Sequence, residues 1–452
     1  MRRSEWSRRV RACLIAALVV GACTGDAERS RPGGQTASPG ESPTGEPQRG
    51  GTAVFGVLGE PPTLDPYARR ATELTHALVR PLYPSLFRWN PAGTAVPYAT
   101  ESIAAVRGGV RVRLAEFRWS DGSPVTARDV VASIRRARPP SGFARIRRAR
   151  AVGPRTVLLR GRVREWESTL ATAAYVLPDG RASRPGGRFG GPFVLAGLRS
   201  GLQAVYEPNP TWAPAPYLGR LKVQFVSGVS FLLELLDRGD LDGAAVPSSV
   251  NLGERLAARD IESDEALGWE SVYLDFRSSG LEPGERRALA AAVDRGALAD
   301  GIVRGDGRIS NTLHPGPGAA GSQGPFGRAG GGRNTGAAAL LTGAGGDELI
   351  TLTQRIIQRQ IDRAGGALEI ASAEPSAVYG GGRGDPGGVK VLRSAGVPGL
   401  SDPPGAVRTL DFYPLFHVET VIAFGAALKG IEVNPTIEGP LWNAELWWLG
   451  AP

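Results

Sequence analysis

Apolar and polar residues alternate with a period of two in Gly50-Gly-Thr-Ala-Val-Phe-Gly-Val57, Val110-Arg-Val-Arg-Leu114 and Val272-Tyr-Leu-Asp-Phe276, the pattern of half-buried strands. Thr156-Val-Leu-Leu159 and Leu368-Glu-Ile370 read as shorter strands, and Phe117 and Trp119 as the end of another, before the turn Ser120-Asp121-Gly122. The period then changes. Val130, Val131, Ile134 and Ala137 recur at helical spacing, leaving Arg135, Arg136 and Arg138 towards water, and Thr126 with Asp129 three residues on makes a capping box at the helix start. Phe231 to Leu236 is a second amphipathic run, stopped by Arg238-Gly-Asp-Leu-Asp-Gly243. Leu289, Ala292 and Val293 share the face of a third, after which Asp294 caps a fourth that Gly305 ends. Leu349, Leu352, Ile356, Ile357 and Ile361 mark a longer helix. Strands and helices interleave along the whole chain, which predicts an α/β protein.

With 452 residues, 42% hydrophobic and 21% charged, the chain is long enough for two or three globular domains and is not disordered. A formal charge of +9 invites a polyanionic partner. Part of it is local: Arg2, Arg3, Arg8, Arg9 and Arg11 against Glu5 place a net +4 in the first 22 residues, leaving about +5 after processing. Arg135 to Arg150 holds seven arginines, interrupted by Pro139, Pro140 and Phe143. We read it as a solvated basic face, with anionic lipid head groups as the alternative contact and no nucleic-acid role. Cys13 and Cys23 are the only cysteines, and His76, His314 and His417 lack ligand spacing, so neither metal nor cofactor is expected. Asp240 and Asp242 read as turn residues rather than an acid/base couple, and no enzyme activity is expected.

Arg2 to Arg11 is a basic leader, and the apolar run Ala12 to Ala22 is too short for a comfortable membrane span. Val20-Gly21-Ala22-Cys23 resembles a bacterial lipobox, which implies a signal peptide over 1–22 and a lipidated Cys23. Ser7-Arg8-Arg9 hints at twin-arginine export, but Arg11 stands where that signal wants an apolar residue, so the general secretory route is preferred. Residues 23–49 are rich in Gly, Ser, Thr, Pro and Glu and read as a flexible tether.

Trp119-Ser-Asp-Gly-Ser-Pro-Val-Thr-Ala-Arg-Asp-Val-Val131 resembles the signature segment of the family 5 extracellular solute-binding proteins, the receptors of ABC importers for dipeptides, oligopeptides, nickel chelates and related solutes. Further blocks follow in the family's order: Glu60-Pro-Pro-Thr-Leu-Asp-Pro-Tyr67, Gly190-Gly-Pro-Phe193, Tyr206-Glu-Pro-Asn-Pro-Thr-Trp212, and Glu285 to Gly305. The resemblance thins from Tyr379 to Arg408. Gly399-Leu-Ser-Asp-Pro-Pro404 is the nearest counterpart of the peptide receptors' amine-anchoring motif and lacks its tryptophan.

The resemblance implies a two-lobed fold of the type II periplasmic-binding-protein kind, with an extra α/β subdomain inserted in the first lobe. The first lobe would comprise 50–75, 190–268 and 434–452, the insert 76–189 and the second lobe 269–433. It also implies a monomeric, lipid-anchored receptor outside the cytoplasm that holds a small solute or short peptide between its lobes for a membrane permease. The alternative is a degenerate paralogue with a trimmed second lobe, serving as an envelope interaction protein. Ligand-binding positions implied in this way are Glu60, Pro61, Pro62, Phe143 and Asp402, the last as a possible amine anchor.

Overall fold

A computed structural model describes residues 46–68, 70–137, 146–172, 174–303, 308–312, 338–380, 385–395 and 409–450. The chain enters through strand β1 (Gly50–Leu58) and helix α1 (Glu73–Val79), then a short hairpin, β2 (Phe87–Trp89) and β3 (Ala95–Pro97). There follow β4 (Thr100–Val106), β5 (Gly109–Leu114), α2 (Ala127–Arg136), β6 (Ile146–Gly153) and β7 (Thr156–Gly161), which form a separate antiparallel sheet in the order β4-β5-β7-β6. Its inner face is apolar because the strands alternate: Val110, Val112, Leu114, Val157 and Leu159 are buried in one core with Val130, Val131 and Ile134 of α2.

The predicted cap of α2 is present. The Asp129 Oδ2 accepts from both the backbone N–H and the hydroxyl of Thr126, each at 2.8 Å. The segment before it differs from expectation. β5 ends at Leu114, and the segment after it folds back on itself at an isolated bridge of Arg118 with Pro124, flanked by the Val125 N–H to the Phe117 carbonyl at 2.9 Å and the Trp119 N–H to the Ser123 carbonyl at 2.8 Å. Gly122, at φ +85°, closes a tight turn in which its N–H donates to the Trp119 carbonyl at 2.8 Å. Trp119 is buried against the glycines of the Gly-Gly-Pro-Phe run: a Cβ on Gly190 would stand 3.0 Å from its ring, and one on Gly191 would stand 2.4 Å from the Pro81 carbonyl oxygen.

After α3 (Trp166–Ala171), the antiparallel strands β8 (Phe193–Arg199) and β9 (Gln203–Pro208) lead to β10 (Leu218–Val226), which lies parallel to β1. Helix α4 (Val229–Asp237) buries Leu232, Leu233, Leu235 and Leu236, while Phe231 stays 47% exposed. Then come β11 (Gly243–Val246), α5 (Leu252–Ala257) and the long β12 (Glu262–Asp275). Helices α6 (Pro283–Ala292) and α7 (Arg295–Val303) precede β13 (Arg308–Ile309) and β14 (Ala338–Ala344). Asp294 receives the Ala297 N–H at 3.0 Å, as expected of a cap; Gly305 lies outside the described residues. Next are α8 (Glu348–Arg363), β15 (Ala367–Ala373), α9 (Pro375–Gly380), β16 (Val389–Ala395) and the second long strand, β17 (Phe412–Phe424). A two-stranded pair closes the chain, β18 (Leu428–Lys429) with β19 (Trp448–Leu449).

The main sheet runs β15-β14-β16-β12-β17-β11-β1-β10-β9-β8, with β13 beside β17. It serves three cores among the described residues, one of them under α4 and α5 with Leu232, Leu233, Ala244 and Leu256. Phe55, Trp119, Tyr206 and Trp447 belong to another, around β1 and β10; Val272, Leu341, Ile357 and Val391 belong to the third, under α8. Among the described residues, only β12 and β17 run through both parts of the sheet. Their first and last residues pair near β11, and their other ends pair beside β16.

Candidate functional site

The register fixes how the two parts of the sheet meet. Val246, the last residue of β11, lies beside Val421, which pairs with Glu265 of β12. Ala395, the last residue of β16, pairs with Glu270, five positions further along the same strand. β1, β10 and β11 are parallel to one another, as are β14, β15 and β16, so both sets end at this junction and their C-terminal ends are opposed. In open α/β sheets, ligands bind outside the carboxyl ends of parallel strands, where loops and helix N-termini gather.

Arg393 of β16 is the charged centre of the junction. Its Nε donates to Glu270 of β12, and its Nη1 reaches the Ser248 carbonyl at 3.3 Å and the Asp347 carboxylate at 3.4 Å. Ser248 follows β11, and Asp347 caps α8 by accepting the N–H groups of Leu349 and Ile350 at 3.0 and 3.1 Å. One guanidinium therefore binds both parts of the molecule. Burial works against its charge, but Glu270 and then Asp347 outweigh it and hold the group more firmly protonated than usual. The Tyr379 hydroxyl accepts from the Arg393 backbone N–H at 3.4 Å. Beside this centre a depression of about 450 Å³ is lined by Val250, Gly346, Glu348, Thr351, Leu352 and Arg355, and Arg255 of α5 spans its rim to Glu348 at 3.5 Å. Such a junction can grip a solute and change its opening by small rotations about β12 and β17. Among the described residues no group of three His, Cys, Asp or Glu side chains is placed to hold a metal ion.

The residues singled out from sequence lie partly here. Glu60 stands just past the end of β1 and accepts from the Gly201 N–H at 2.8 Å and the Ser200 hydroxyl at 3.2 Å, tying that strand end to the β8–β9 turn. Pro61 is buried and Pro62 exposed. Phe143, Asp402 and Cys23 lie outside the described residues. Asp240 and Asp242 act in a turn: Asp240 pairs with Arg238 at 2.7 Å, and Asp242 receives the Val54 N–H at 2.7 Å. Arg393, Glu270 and Ser248 were not singled out from sequence, because partners 123 and 145 positions apart leave no local spacing to read. Asp347, just ahead of an apolar helical run, carried a legible cap signal.

Comparison with known proteins adds a second line of observation. Residues 110–360 match the family model described as bacterial extracellular solute-binding proteins, family 5 Middle. Protein XP55 of Streptomyces lividans is 28% identical over 341 residues, covering 68% of this chain and 59% of that protein. The oligopeptide-binding protein AppA of Bacillus subtilis is 22% identical over 329 residues, covering 66% of this chain and 58% of that one. The chain thus spans less than two thirds of the length of these curated relatives. The structure of AppA in complex with a nonapeptide superposes with a TM-score of 0.71 at 17% identity, covering 90% of this chain and 100% of that one. The periplasmic binding protein DppA from Helicobacter pylori, in complex with a peptide, gives 0.70 at 13% identity over 89% and 98%. At these identities the superpositions establish the fold, the two-lobed type II periplasmic-binding-protein architecture.

Proposed function

Because this chain belongs to the family 5 bacterial extracellular solute-binding proteins, we propose that it is the receptor of an ABC importer, closing on a short peptide or a related small solute. Family members are extracytoplasmic binding proteins rather than enzymes. The observation that carries the reading is the junction itself: opposed strand ends joined, among the described residues, by two crossing strands, β12 and β17. Two bodies so connected can close by hinge rotation and bury a solute between them.

In this reading the first lobe comprises 50–75, 190–268 and 434–452, with 76–189 inserted, and the second lobe comprises 269–433. Glu60, Pro61 and Pro62 edge the cleft from the first lobe, Phe143 covers the solute and Asp402 anchors its amine. Lipidated Cys23 and the tether 23–49 keep a monomeric receptor near its permease. The short, Gly- and Pro-rich stretch Tyr379–Arg408, without a tryptophan beside Asp402, favours one rival, a paralogue that no longer captures solute.

Native mass spectrometry of the protein lacking its acyl chains, with melting curves across a dipeptide library, separates the two. A co-purifying small solute, or a melting shift with particular dipeptides, is expected of the receptor. A ligand-free chain that no peptide or chelate stabilises belongs to the paralogue, and turnover of a bound compound overturns both.

A further inference from the structure

The outer face of the β4-β5-β7-β6 sheet is cationic over three of its four strands. In one row Ala104, Arg111, Leu158 and Arg150 stand side by side on the four strands; in the next, Val106, Gly109, Arg160 and Arg148 do so. Arg148 and Arg160 are thus direct cross-strand partners of like charge, an arrangement that destabilises a sheet unless something external offsets it. The nearby carboxylates are already engaged: Glu101 takes Arg113 at 2.9 Å and Arg155 at 3.8 Å, and Glu116 takes Arg155 at 3.2 Å. Arg111, Arg148, Arg150 and Arg160 are exposed and have no ion-pair partner among the described residues. Arg107 and Arg162 extend the positive field at the edge, where the Gly161 N–H meets the Gly108 carbonyl at 3.1 Å.

We propose that this sheet face docks on an anionic lipid bilayer. A broad array of guanidinium groups matches a plane of phosphates, and each guanidinium can bind phosphate oxygens in a fork. A single-stranded nucleic acid would call for aromatic rings on the same platform, and the two rows carry none. Placement outside the cytoplasm, on which the inference rests, makes the membrane the polyanion at hand. The docked face belongs to the small sheet and the β11–β16 junction to the main one, so docking and solute capture are read by separate assays.

The test uses the chain from residue 23 onward carrying Cys23→Ser, so that neither an acyl group nor the basic leader contributes. Its partition onto phosphatidylcholine vesicles with and without phosphatidylglycerol is measured by co-sedimentation at low and high salt. Salt-sensitive binding only to the phosphatidylglycerol vesicles is expected, weakening about fivefold for each arginine removed among Arg111→Gln, Arg148→Gln, Arg150→Gln and Arg160→Gln. A charge-matched variant with Arg184→Gln, Arg199→Gln, Arg359→Gln and Arg363→Gln is expected to bind as the parent does. Should the four-site face variant fold poorly, the pair Arg148→Gln with Arg160→Gln is expected to lose about 25-fold. Equal losses in the face and control variants, or no preference for phosphatidylglycerol, overturns the proposal. So does retention on heparin without vesicle binding, which transfers the face to an anionic polysaccharide.

Discussion

Arg80 and Glu438 form an ion pair at 2.6 Å with neither side chain exposed, and it joins the end of α1 to the C-terminal segment. Burial raises the Glu438 pKa, while Arg80, then Arg88 and the Trp89 N–H at 2.9 Å, favour its charged form. The Arg80 guanidinium also lies 4.6 Å from the Tyr175 ring centre. Removing one partner leaves the other charged and dry, so Glu438→Gln is expected to cost about 3–5 kcal/mol, read as a lower urea midpoint. His76 and His417 make the matching prediction in pH. Burial pushes each down to about 4; Arg80 adds to the effect at His76, and the Glu270 backbone opposes it at His417. The fold therefore holds both rings neutral. Their contribution is intact above the ordinary value of 6.5 and is lost as pH falls towards 4. A melting temperature that drops over that window, and drops less steeply in a His417→Asn variant, is the expected result.

At the scale of elements, Asp129 shows what local sequence can specify and what it leaves open. Its capping role was legible from Thr126 three residues before it. Its second oxygen also accepts the Asp179 N–H at 3.0 Å, fastening the start of α2 to a turn 50 positions away. No spacing rule contains that contact. Asp129→Ala is accordingly expected to cost about 2 kcal/mol, more than the roughly 1 kcal/mol of a cap alone, in chemical denaturation. The strand expected to end at Phe117 and Trp119 ends at Leu114 because those residues pair back onto Ser123 and Val125 of their own tight turn, the Trp119 N–H to the Ser123 carbonyl and the Val125 N–H to the Phe117 carbonyl, and not onto a neighbouring strand of the sheet. Trp119 is held instead by packing against Gly190.

For the whole molecule, the hinge closure proposed above makes the junction at Arg393 the place expected to set the balance between open and closed lobes. The described form has the guanidinium bound to Glu270 and Asp347 on one side and to the Ser248 carbonyl on the other. Arg393→Leu removes every bond across the junction that this side chain makes. The solute-free protein is then expected to show a larger radius of gyration by small-angle scattering, and apparent solute affinity to fall up to about tenfold as the closed population shrinks. An unchanged radius and affinity would mean that Arg393 braces the second lobe alone.

The sequence by itself determined the elements and their order, because alternation, helical spacing, caps and turn glycines act over a few residues. Val110 to Leu114, Val130 to Ile134 and the Asp294 cap are such cases. Its motifs also determined the family, through wording such as Trp119 to Val131 and the Gly190-Gly191 pair, whose missing side chains leave room for Trp119 and the Pro81 carbonyl. Only the tertiary structure decided which charges meet. The Arg393–Glu270 and Arg80–Glu438 pairs join residues 123 and 358 positions apart, and the arginine rows of the small sheet exist only once strand register aligns them. Periodicity tells a residue which side to face, but not what will face it; that is settled when long-range strands find their register and bury what lies between.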